Sequence, residues 1–343
     1  MFKIIEVFNH KGGVSKTTTT FNLAWKLTEF NKKVLVVDGD PQCNLSELFM
    51  GDSFESYYDN TDTKDQNIKD AVSDAYNGRP YPIKKIKCPM HINNENLYLL
   101  PGHMDLSEYE ASLSLSMNSN GAITTLQNLP GAIYELIKLC CEEYGIDYVF
   151  IDMNPGLTAM NEMFFTYCDD FIVPTNPDPF SVMALKTLSK TLPRWKQWSE
   201  NTKQIFSDTS YPLPDSSMMF LGEIIQRFSM RMGKPSHSYE GKIDDIKKCI
   251  DTDFIPVMEK NEMLNPIIAS NRRNHCLGEI PDFQSLIQRA NEAMVPVYAL
   301  SAKQMKAQGY VYENMEKSRQ RFTTMFNDIA NLIIEATNEA SVG

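Results

Sequence analysis

Residues 11–18 read KGGVSKTT, a set of residue types suited to holding a chain of phosphates. The adjacent glycines Gly12 and Gly13 let the backbone turn its N–H groups inward and approach a polyanion closely. Lys16 supplies a point charge between the β- and γ-phosphates, and the Thr17 hydroxyl is suited to coordinating Mg²⁺. We therefore predict that the loop binds a nucleotide through Gly12, Gly13, Val14, Ser15, Lys16, Thr17 and Thr18.

Aspartates stand at the ends of two predicted strands. Asp38 and Asp40 end the run VLVVDGD, and Asp152 closes the run YVFID. In an open parallel sheet, ligands bind beyond the carboxyl ends of the strands, so we expect these acids to face the same crevice as the phosphate loop. Because Asp38 and Asp40 would share one strand face and repel each other, we expect a cation or a water network between them.

The elements around the loop form a strand–helix–strand unit. KIIEVF at 3–8 is an apolar run short enough for a buried parallel strand, and VLVVDGD at 34–40 is a second one. Between them, apolar residues recur every three positions and predict a helix with one buried flank. Such a unit implies a right-handed crossover and a parallel sheet. The recurring apolar residues are Phe21, Ala24, Leu27 and Phe30.

The rest of the chain continues the alternation of strands and helices. We predict strands in LYLLPG, DYVFID, DDFIVPT and MFLGEIIQ, and a helix over 131–144 that stops at Gly145. A further helix, FSVMALKTLSKTL, is expected to end at Pro193. The last helix carries an apolar stripe that should pack on the domain. Its members are Phe322, Met325, Phe326, Ile329, Leu332, Ile333 and Ala336.

These elements predict an α/β fold with a doubly wound, mostly parallel sheet and helices on both faces. We expect one domain over 1–343, since no linker separates two cores. Residues 51–96 are polar and turn-rich, and they are expected to form an irregular insertion with one short helix near 68–76. The helices of 281–340 should pack on the same domain.

Composition excludes several classes of protein. The 343 residues carry a formal charge of −11, which does not favour a general polyanion binder. The mean hydropathy is −0.34, and no run approaches the roughly 18 apolar residues of a membrane span. Seven cysteines without a CxxC pair predict reduced, buried thiols in a cytoplasmic protein.

The loop departs from the ordinary GxxxxGK[ST] pattern in three places. His10 and Ser15 occupy the two glycine positions, and Lys11 precedes the glycine pair. With these features, the segment resembles the deviant Walker A motif of the ParA/MinD family of ATPases. The resemblance implies a P-loop NTPase fold of the SIMIBI type with ATP and Mg²⁺ as cofactors. It also implies that Lys11 reaches across a two-fold axis to the phosphates of the other subunit, where a cation stabilises developing charge.

Two further segments extend the resemblance to the acids. DGDPQ resembles the family's switch I segment, DxDPQ, which implies that Asp40 orients the attacking water and Asp38 lies in the water shell of Mg²⁺. DMNPG resembles the switch II pattern DxPPG, which implies that Asp152 holds Mg²⁺ through water or through Thr17. Asn154 replaces one proline there, so we expect switch II gating to differ.

Asp152, which closes YVFID, would be the aspartate of the family's Walker B motif. The segment IVPTNPDPFSV resembles the family's segment after that motif. In relatives, residues after this strand and after the following one border the purine. The resemblance therefore implies an adenine pocket formed by Pro174, Asn176, Pro177 and Gln226. Relatives often carry Asn at the position of Gln226. An amide both donates to and accepts from the amino edge of adenine.

The resemblance implies an ATP-driven dimerisation switch in plasmid or chromosome partitioning, or in positioning a cargo. Its hydrolysis would be slow and stimulated by a partner protein. Non-specific DNA is a further partner that it suggests. The alternatives are an ATP-dependent ligase or kinase similar to dethiobiotin synthetase, and a MinD-like positioning ATPase on a membrane, which the acidic end of the last helix disfavours. The candidate basic residues for DNA are Arg227, Arg231, Lys234, Arg272, Arg273, Lys317, Arg319 and Arg321.

Overall fold

The computed structural model describes residues 2–119, 121–231, 233–270 and 275–339, and its strands form one large sheet and one short ribbon. The strands are β1 (Lys3–Val7), β2 (Val34–Asp38), β3 (Met90–His91), β4 (Asn94–Leu100), β5 (Tyr148–Asp152), β6 (Asp170–Thr175), β7 (Met219–Gln226), β8 (Met230–Arg231), β9 (Lys234–Pro235) and β10 (Cys276–Ile280). The large sheet has eight strands in the order β10-β7-β6-β1-β5-β2-β4-β3. All its neighbours are parallel except the β3–β4 pair.

Helices cover both faces of this sheet, so the predicted doubly wound fold is confirmed. One hydrophobic core lies between the sheet and helices α4 to α10, and the other packs under α1, α2 and α11 to α14. The helices are α1 (Lys16–Thr28), α2 (Asn44–Met50), α3 (Phe54–Asp59), α4 (Ile68–Tyr76), α5 (Glu110–Asn118), α6 (Leu129–Tyr144), α7 (Ala159–Tyr167), α8 (Pro179–Thr202), α9 (His237–Cys249), α10 (Ile255–Lys260), α11 (Pro266–Ser270), α12 (Ser285–Ala293), α13 (Ala302–Met305) and α14 (Gly309–Glu339).

The strand β1 lies at the centre of the sheet, between β5 and β6. Its side chains alternate between the two cores and are buried on both faces, which explains its almost continuous apolar sequence. The crossover through α1 leads to β2, which is separated from β1 by β5. This order places the ends of β2 and β5 side by side, with Asp38 in register with Asp152.

The expectation that Pro193 ends a helix is wrong, because α8 runs through it to Thr202. Proline cannot donate to the carbonyl of Ser189, and this loss normally kinks or breaks a helix. Here Leu192 and Trp195 are buried on either side of the proline. The packing of both halves of α8 on the core therefore outweighs the missing hydrogen bond.

The segment 51–96 and the C-terminal region contain both expected and unexpected elements. The predicted short helix is present as α4, but the segment also contains α3 and the edge strand β3. The predicted apolar stripe of the last helix is buried, with Phe326, Ile329 and Ile333 almost fully covered. The strand β10, which sequence patterns did not indicate, pairs with β7 at the far edge of the sheet. Among the described residues, no helix is long and apolar enough to cross a membrane.

The pH dependence of stability should reveal a buried acid in β1. Glu6 is fully buried, its carboxyl oxygens have no partner in the described residues, and burial raises its pKa well above the usual value. The folded chain then keeps the proton that the unfolded chain loses above about pH 4.3, so the free energy of unfolding falls as pH rises, by up to about 1.4 kcal/mol per pH unit. Other buried acids add to this fall, so Glu6→Gln should make it shallower rather than abolish it, as measured by urea denaturation between about pH 4 and pH 8.

Glu95→Gln, at an exposed position of β4, is the matched control and should leave the pH dependence of the wild type unchanged. Parallel pH profiles for the Glu6→Gln variant and the wild type would contradict the prediction.

Candidate functional site

The phosphate loop joins the end of β1 to α1, which begins at Lys16. Two of its residues have left-handed backbone conformations, Gly13 with φ 72° and Ser15 with φ 58°. Ser15 is the N-cap residue of α1, and its side chain makes no capping hydrogen bond within the described structure. The N–H groups of the first turn of α1 are therefore not consumed by a side-chain cap and add to an anion-binding end.

Side chains from neighbouring strands hold the outer edge of this loop. The Asn9 amide donates to the Pro174 carbonyl at 2.8 Å and accepts from the Lys11 N–H at 3.0 Å. The Gln226 amide donates to the Val14 carbonyl at 3.1 Å. Asn9 was not among the predicted site residues, although its position directly before the motif was a usable signal.

The Gly13 carbonyl accepts two further hydrogen bonds. Asn176 Nδ2 donates to it at 3.0 Å, and Arg227 Nη1 donates at 2.8 Å. Because these donors come from the loops that follow β6 and β7, the loop is tied to both strands on this side of β1. With the Gly13 and Val14 carbonyls engaged by these donors, the N–H groups of the loop are left for an anion.

A hydroxyl and a carboxylate meet where a metal would be needed. Thr17 Oγ1 donates to Asp152 Oδ2 at 2.6 Å, while the buried Oδ1 has no partner among the described atoms. Burial, followed by the nearby Asp38, raises the pKa of the Asp152 carboxyl to about 8. Burial lowers the pKa of the Lys16 ammonium, and Asp152 and Asp40 oppose that effect. An unpartnered carboxylate oxygen beside a hydroxyl fits Mg²⁺, which prefers such ligands.

The other two acids occupy different environments. Asp38 is fully buried, and its Oδ2 accepts from both the N–H and the hydroxyl of Ser46, each at 2.7 Å. Burial raises the pKa of Asp38 to about 6, and the Ser46 hydrogen bonds oppose this rise. Asp40 instead lines the cavity beside the loop and accepts from the Gln42 N–H at 2.9 Å. A role for Asp38 in the water shell of Mg²⁺ stays a prediction.

The substituted position of switch II has an identifiable partner. Asn161 Nδ2 donates to the side-chain oxygen of Asn154 at 2.8 Å and to the carbonyls of Asn154 and Gly156 at 3.0 Å each. Proline at position 154 would lack the side-chain acceptor. Asn161 was not predicted, and its role in shaping this turn depends on the packing of α7.

A cavity of about 880 Å³ opens beside the loop. Its wall contains all seven predicted phosphate-loop residues, Asp40 and Gln226, but within the described residues it does not include Pro174, Asn176 or Pro177. The Nε2 of Gln226 already donates to the Val14 carbonyl and, at 2.8 Å, to Thr19 Oγ1. Contact between these four residues and adenine therefore stays a prediction. The far wall comes from the segment after β10, with Ile280, Pro281, Asp282, Phe283, Ile287 and Asn291.

This far wall was not among the predicted site residues, because β10 was not predicted. Pro281 and Phe283 follow the end of β10, where ligands bind in such a sheet, but β10 has no clear apolar run that would have indicated a strand. An aromatic ring and aliphatic side chains in the same cavity as the loop suit the base of a nucleotide.

Lys11 lies next to the loop but is engaged within its own chain. Its ammonium forms an ion pair with Asp178 and a hydrogen bond to Ser181 Oγ at 3.2 Å. Asp178 is the N-cap residue of α8 and accepts from the Ser181 N–H at 2.8 Å. Any contact of Lys11 with a second subunit requires this ion pair to open.

The basic residues predicted for DNA binding do not share one setting. Arg227 lines the cavity, and Arg319 pairs with Glu316. Arg231 and Lys234 lie on the exposed β8–β9 ribbon. Arg272 and Arg273 lie outside the described residues.

A phosphate loop between β1 and α1, with an aspartate at the end of β5 in a doubly wound parallel sheet, defines a P-loop ATPase of the ParA/MinD type. The chain belongs to the AAA domain family, whose model matches residues 2–205. The resemblance inferred from the sequence is confirmed.

Sequence relatives cover part of the chain. It is 31% identical over 202 residues to an uncharacterised protein of Methanocaldococcus jannaschii, with coverage of 58% of this chain and 69% of that protein. It is 27% identical over 196 residues to the chromosome partitioning protein ParA of Myxococcus xanthus, with coverage of 57% of this chain and 59% of that protein.

Solved structures with the same fold cover almost all of the chain. The McdA–ATP complex of Cyanothece has a TM-score of 0.59 and 17% identity, and the match covers 94% of this chain and 96% of that one. The structure of pNOB8 ParA bound to nonspecific DNA has a TM-score of 0.57 and 18% identity, and the match covers 99% of each chain.

Strain at Ser15 generates a stability prediction. A residue with a Cβ pays about 1–2 kcal/mol in the left-handed region, and glycine loses about 0.5–1 kcal/mol through its more flexible unfolded state. Ser15→Gly should therefore raise the free energy of unfolding by about 0.5–1 kcal/mol, as measured by urea denaturation. Ser15→Ala keeps the Cβ and is the matched control. An equal gain in stability for both variants would exclude backbone strain as the cause.

Proposed function

We propose that this chain is a cytoplasmic, Mg²⁺-dependent ATPase that acts as an ATP-driven dimerisation switch in plasmid or chromosome partitioning, or in positioning a cargo. The observation that carries the proposal is the hydrogen bond from Thr17 to Asp152, next to a loop whose Gly13 and Val14 carbonyls are engaged by side chains from other strands. The similarity to the chromosome partitioning protein ParA and to McdA in its ATP complex supports it. Seven free cysteines agree with a reducing compartment.

The chain's own groups would act on the nucleotide in distinct ways. The N–H groups of the loop and the Lys16 ammonium bind the phosphates, and Thr17 and Asp152 hold Mg²⁺. A bound Mg²⁺ would neutralise charge that develops on the transferred phosphoryl group. Asp40, at the cavity wall, orients the attacking water. An aspartate is a weak general base, so hydrolysis is slow until a partner protein stimulates it.

Dimerisation would depend on an exchange of partners by Lys11. In the single chain its ammonium is paired with Asp178. In the dimer it contacts the phosphates of the nucleotide in the other subunit and stabilises charge there, as an arginine finger does. The ion pair with Asp178 then competes with dimer formation, and ATP provides the stronger anion.

Binding of non-specific DNA stays a prediction. The similar fold of pNOB8 ParA, which was solved with nonspecific DNA, supports it. Of the basic residues named for DNA, those that are exposed in the described structure and have no other contact given above are Arg231 and Lys234 on the β8–β9 ribbon and Lys317 on α14.

Lys16→Ala should abolish ATP binding and hydrolysis. The variant removes the cation that faces the phosphates, and we expect a loss of affinity of about 100-fold or more, since each charged contact in such a site is worth several kcal/mol. Calorimetry with ATP and a phosphate-release assay measure the two effects. Lys190→Ala, at an exposed position of α8, is the control and should behave as wild type. Unchanged hydrolysis in the Lys16→Ala variant would refute the loop assignment.

Lys11 and Asp178 should affect dimerisation in opposite directions. Lys11→Ala should fold and bind ATP but stay monomeric in light scattering, because the cation in trans is absent. Asp178→Asn keeps a good N-cap residue and removes the competing charge, so it should dimerise at lower ATP concentration. A Lys11→Ala dimer would contradict the role in trans. If the wild type dimerises only with an added carboxylate metabolite, the ligase alternative replaces the switch.

A further inference from the structure

Arg227 follows the last residue of β7 and lies at the mouth of the cavity. Its backbone is in the left-handed region, with φ 62°, and its N–H donates to the Ile280 carbonyl at 3.1 Å. A bulky residue rarely adopts this conformation, and such strain clusters at functional sites. From this position the guanidinium reaches the phosphate loop and donates to the Gly13 carbonyl.

The guanidinium of Arg227 has donors to spare. One nitrogen donates to the Gly13 carbonyl at 2.8 Å, and none of the ion pairs between described residues includes this arginine. The side chain is exposed at the cavity rather than neutralised by a carboxylate. A planar guanidinium with free N–H groups is suited to binding a phosphate through two hydrogen bonds.

The charge balance of the cavity shows why a second cation is needed. Its wall carries four acidic side chains, Asp40, Glu47, Asp52 and Asp282, against Lys16 and Arg227. Lys16 is buried and interacts with Asp152 and Asp40. Arg227 is therefore the one cation of the described wall that is exposed to the cavity and carries no carboxylate partner.

We propose that Arg227 is a phosphate-binding residue of the nucleotide site. Its guanidinium stays on the Gly13 carbonyl while its remaining N–H groups bind the β- or γ-phosphate of the nucleoside triphosphate. This inference rests on the proposed function, because it assumes that the loop binds ATP. It removes Arg227 from the DNA surface expected from the sequence and assigns it to the nucleotide.

A purely structural role for Arg227 makes a different prediction. If the arginine only holds the Gly13 carbonyl, its loss resembles the loss of Asn176, which donates to the same oxygen without lining the cavity. Loss of a hydrogen bond that only holds the Gly13 carbonyl (the clamp) should lower the affinity of every nucleotide that binds the loop. A phosphate contact affects nucleotides according to the phosphates that they carry.

The test compares the affinities of ATP, ADP and AMP for the full chain with Mg²⁺, by calorimetry and by competition with a fluorescent ATP analogue. Arg227→Gln should weaken ATP about tenfold or more and AMP about twofold or less, since a charge-assisted hydrogen bond to phosphate is lost. Arg227→Lys keeps the charge and should recover part of the ATP affinity. Arg194→Gln, at an exposed position of α8 outside the cavity wall, is the matched control and should bind as wild type.

Two results would overturn the proposal. One is an equal loss for ATP and AMP in Arg227→Gln, or no loss for either. The other is an Asn176→Ala variant that reproduces the graded loss, because that variant removes only the clamp. The Lys16→Ala variant separates this failure from failure of the proposed function. If that variant loses ATP while Arg227→Gln binds normally, only the role of Arg227 falls; if the wild type binds no ATP, the proposed function falls.

Discussion

The rest of the site depends on the hydrogen bonds that side chains at the ends of β6 and β7 donate to two carbonyls of the phosphate loop. A loop can offer its N–H groups to an anion only if its carbonyl oxygens find donors elsewhere. In this chain, Asn176 and Arg227 engage the Gly13 carbonyl and Gln226 engages the Val14 carbonyl. These donors come from the ends of β6 and β7, so the shape of the loop is a property of the sheet order.

The same sheet order brings two carboxyl groups together near the loop. Asp38 and Asp152 are in register on adjacent strands and fully buried, and burial raises the pKa of each carboxyl. Each carboxyl accepts hydrogen bonds from a different residue. Ser46 donates twice to Asp38, whereas Asp152 receives one hydroxyl from Thr17 and keeps one oxygen without a partner in the described structure. Of the two acids that the strand pairing places side by side, Asp38 is hydrogen-bonded to Ser46, whereas Asp152 keeps an oxygen that could bind a cation.

Residues close in sequence to the loop were predictable, and residues brought to it by the sheet were not. The KGGVSKTT segment specifies its own turn and helix start, and seven of its eight residues, Gly12 to Thr18, line the cavity. Asp40 and Asp152 followed from the rule on strand ends. The far wall at Pro281 and Phe283 was missed because β10 is a short edge strand without a clear apolar run. The prediction that α8 ends at Pro193 was wrong because the packing of the helix on the core outweighs the low helix propensity of proline.

The sequence by itself determined the chemistry of the loop, since glycines, Lys16 and Thr17 act through local backbone geometry and fixed spacing. It also determined the alternation of strands and helices, which follows from apolar periodicity. Only the tertiary structure decided which residues meet the loop from a distance of many positions. Arg227 and Asn176 at the Gly13 carbonyl and Asp178 on Lys11 are such contacts. Their partners are chosen by the order of strands in the sheet, and no spacing along the chain encodes that order.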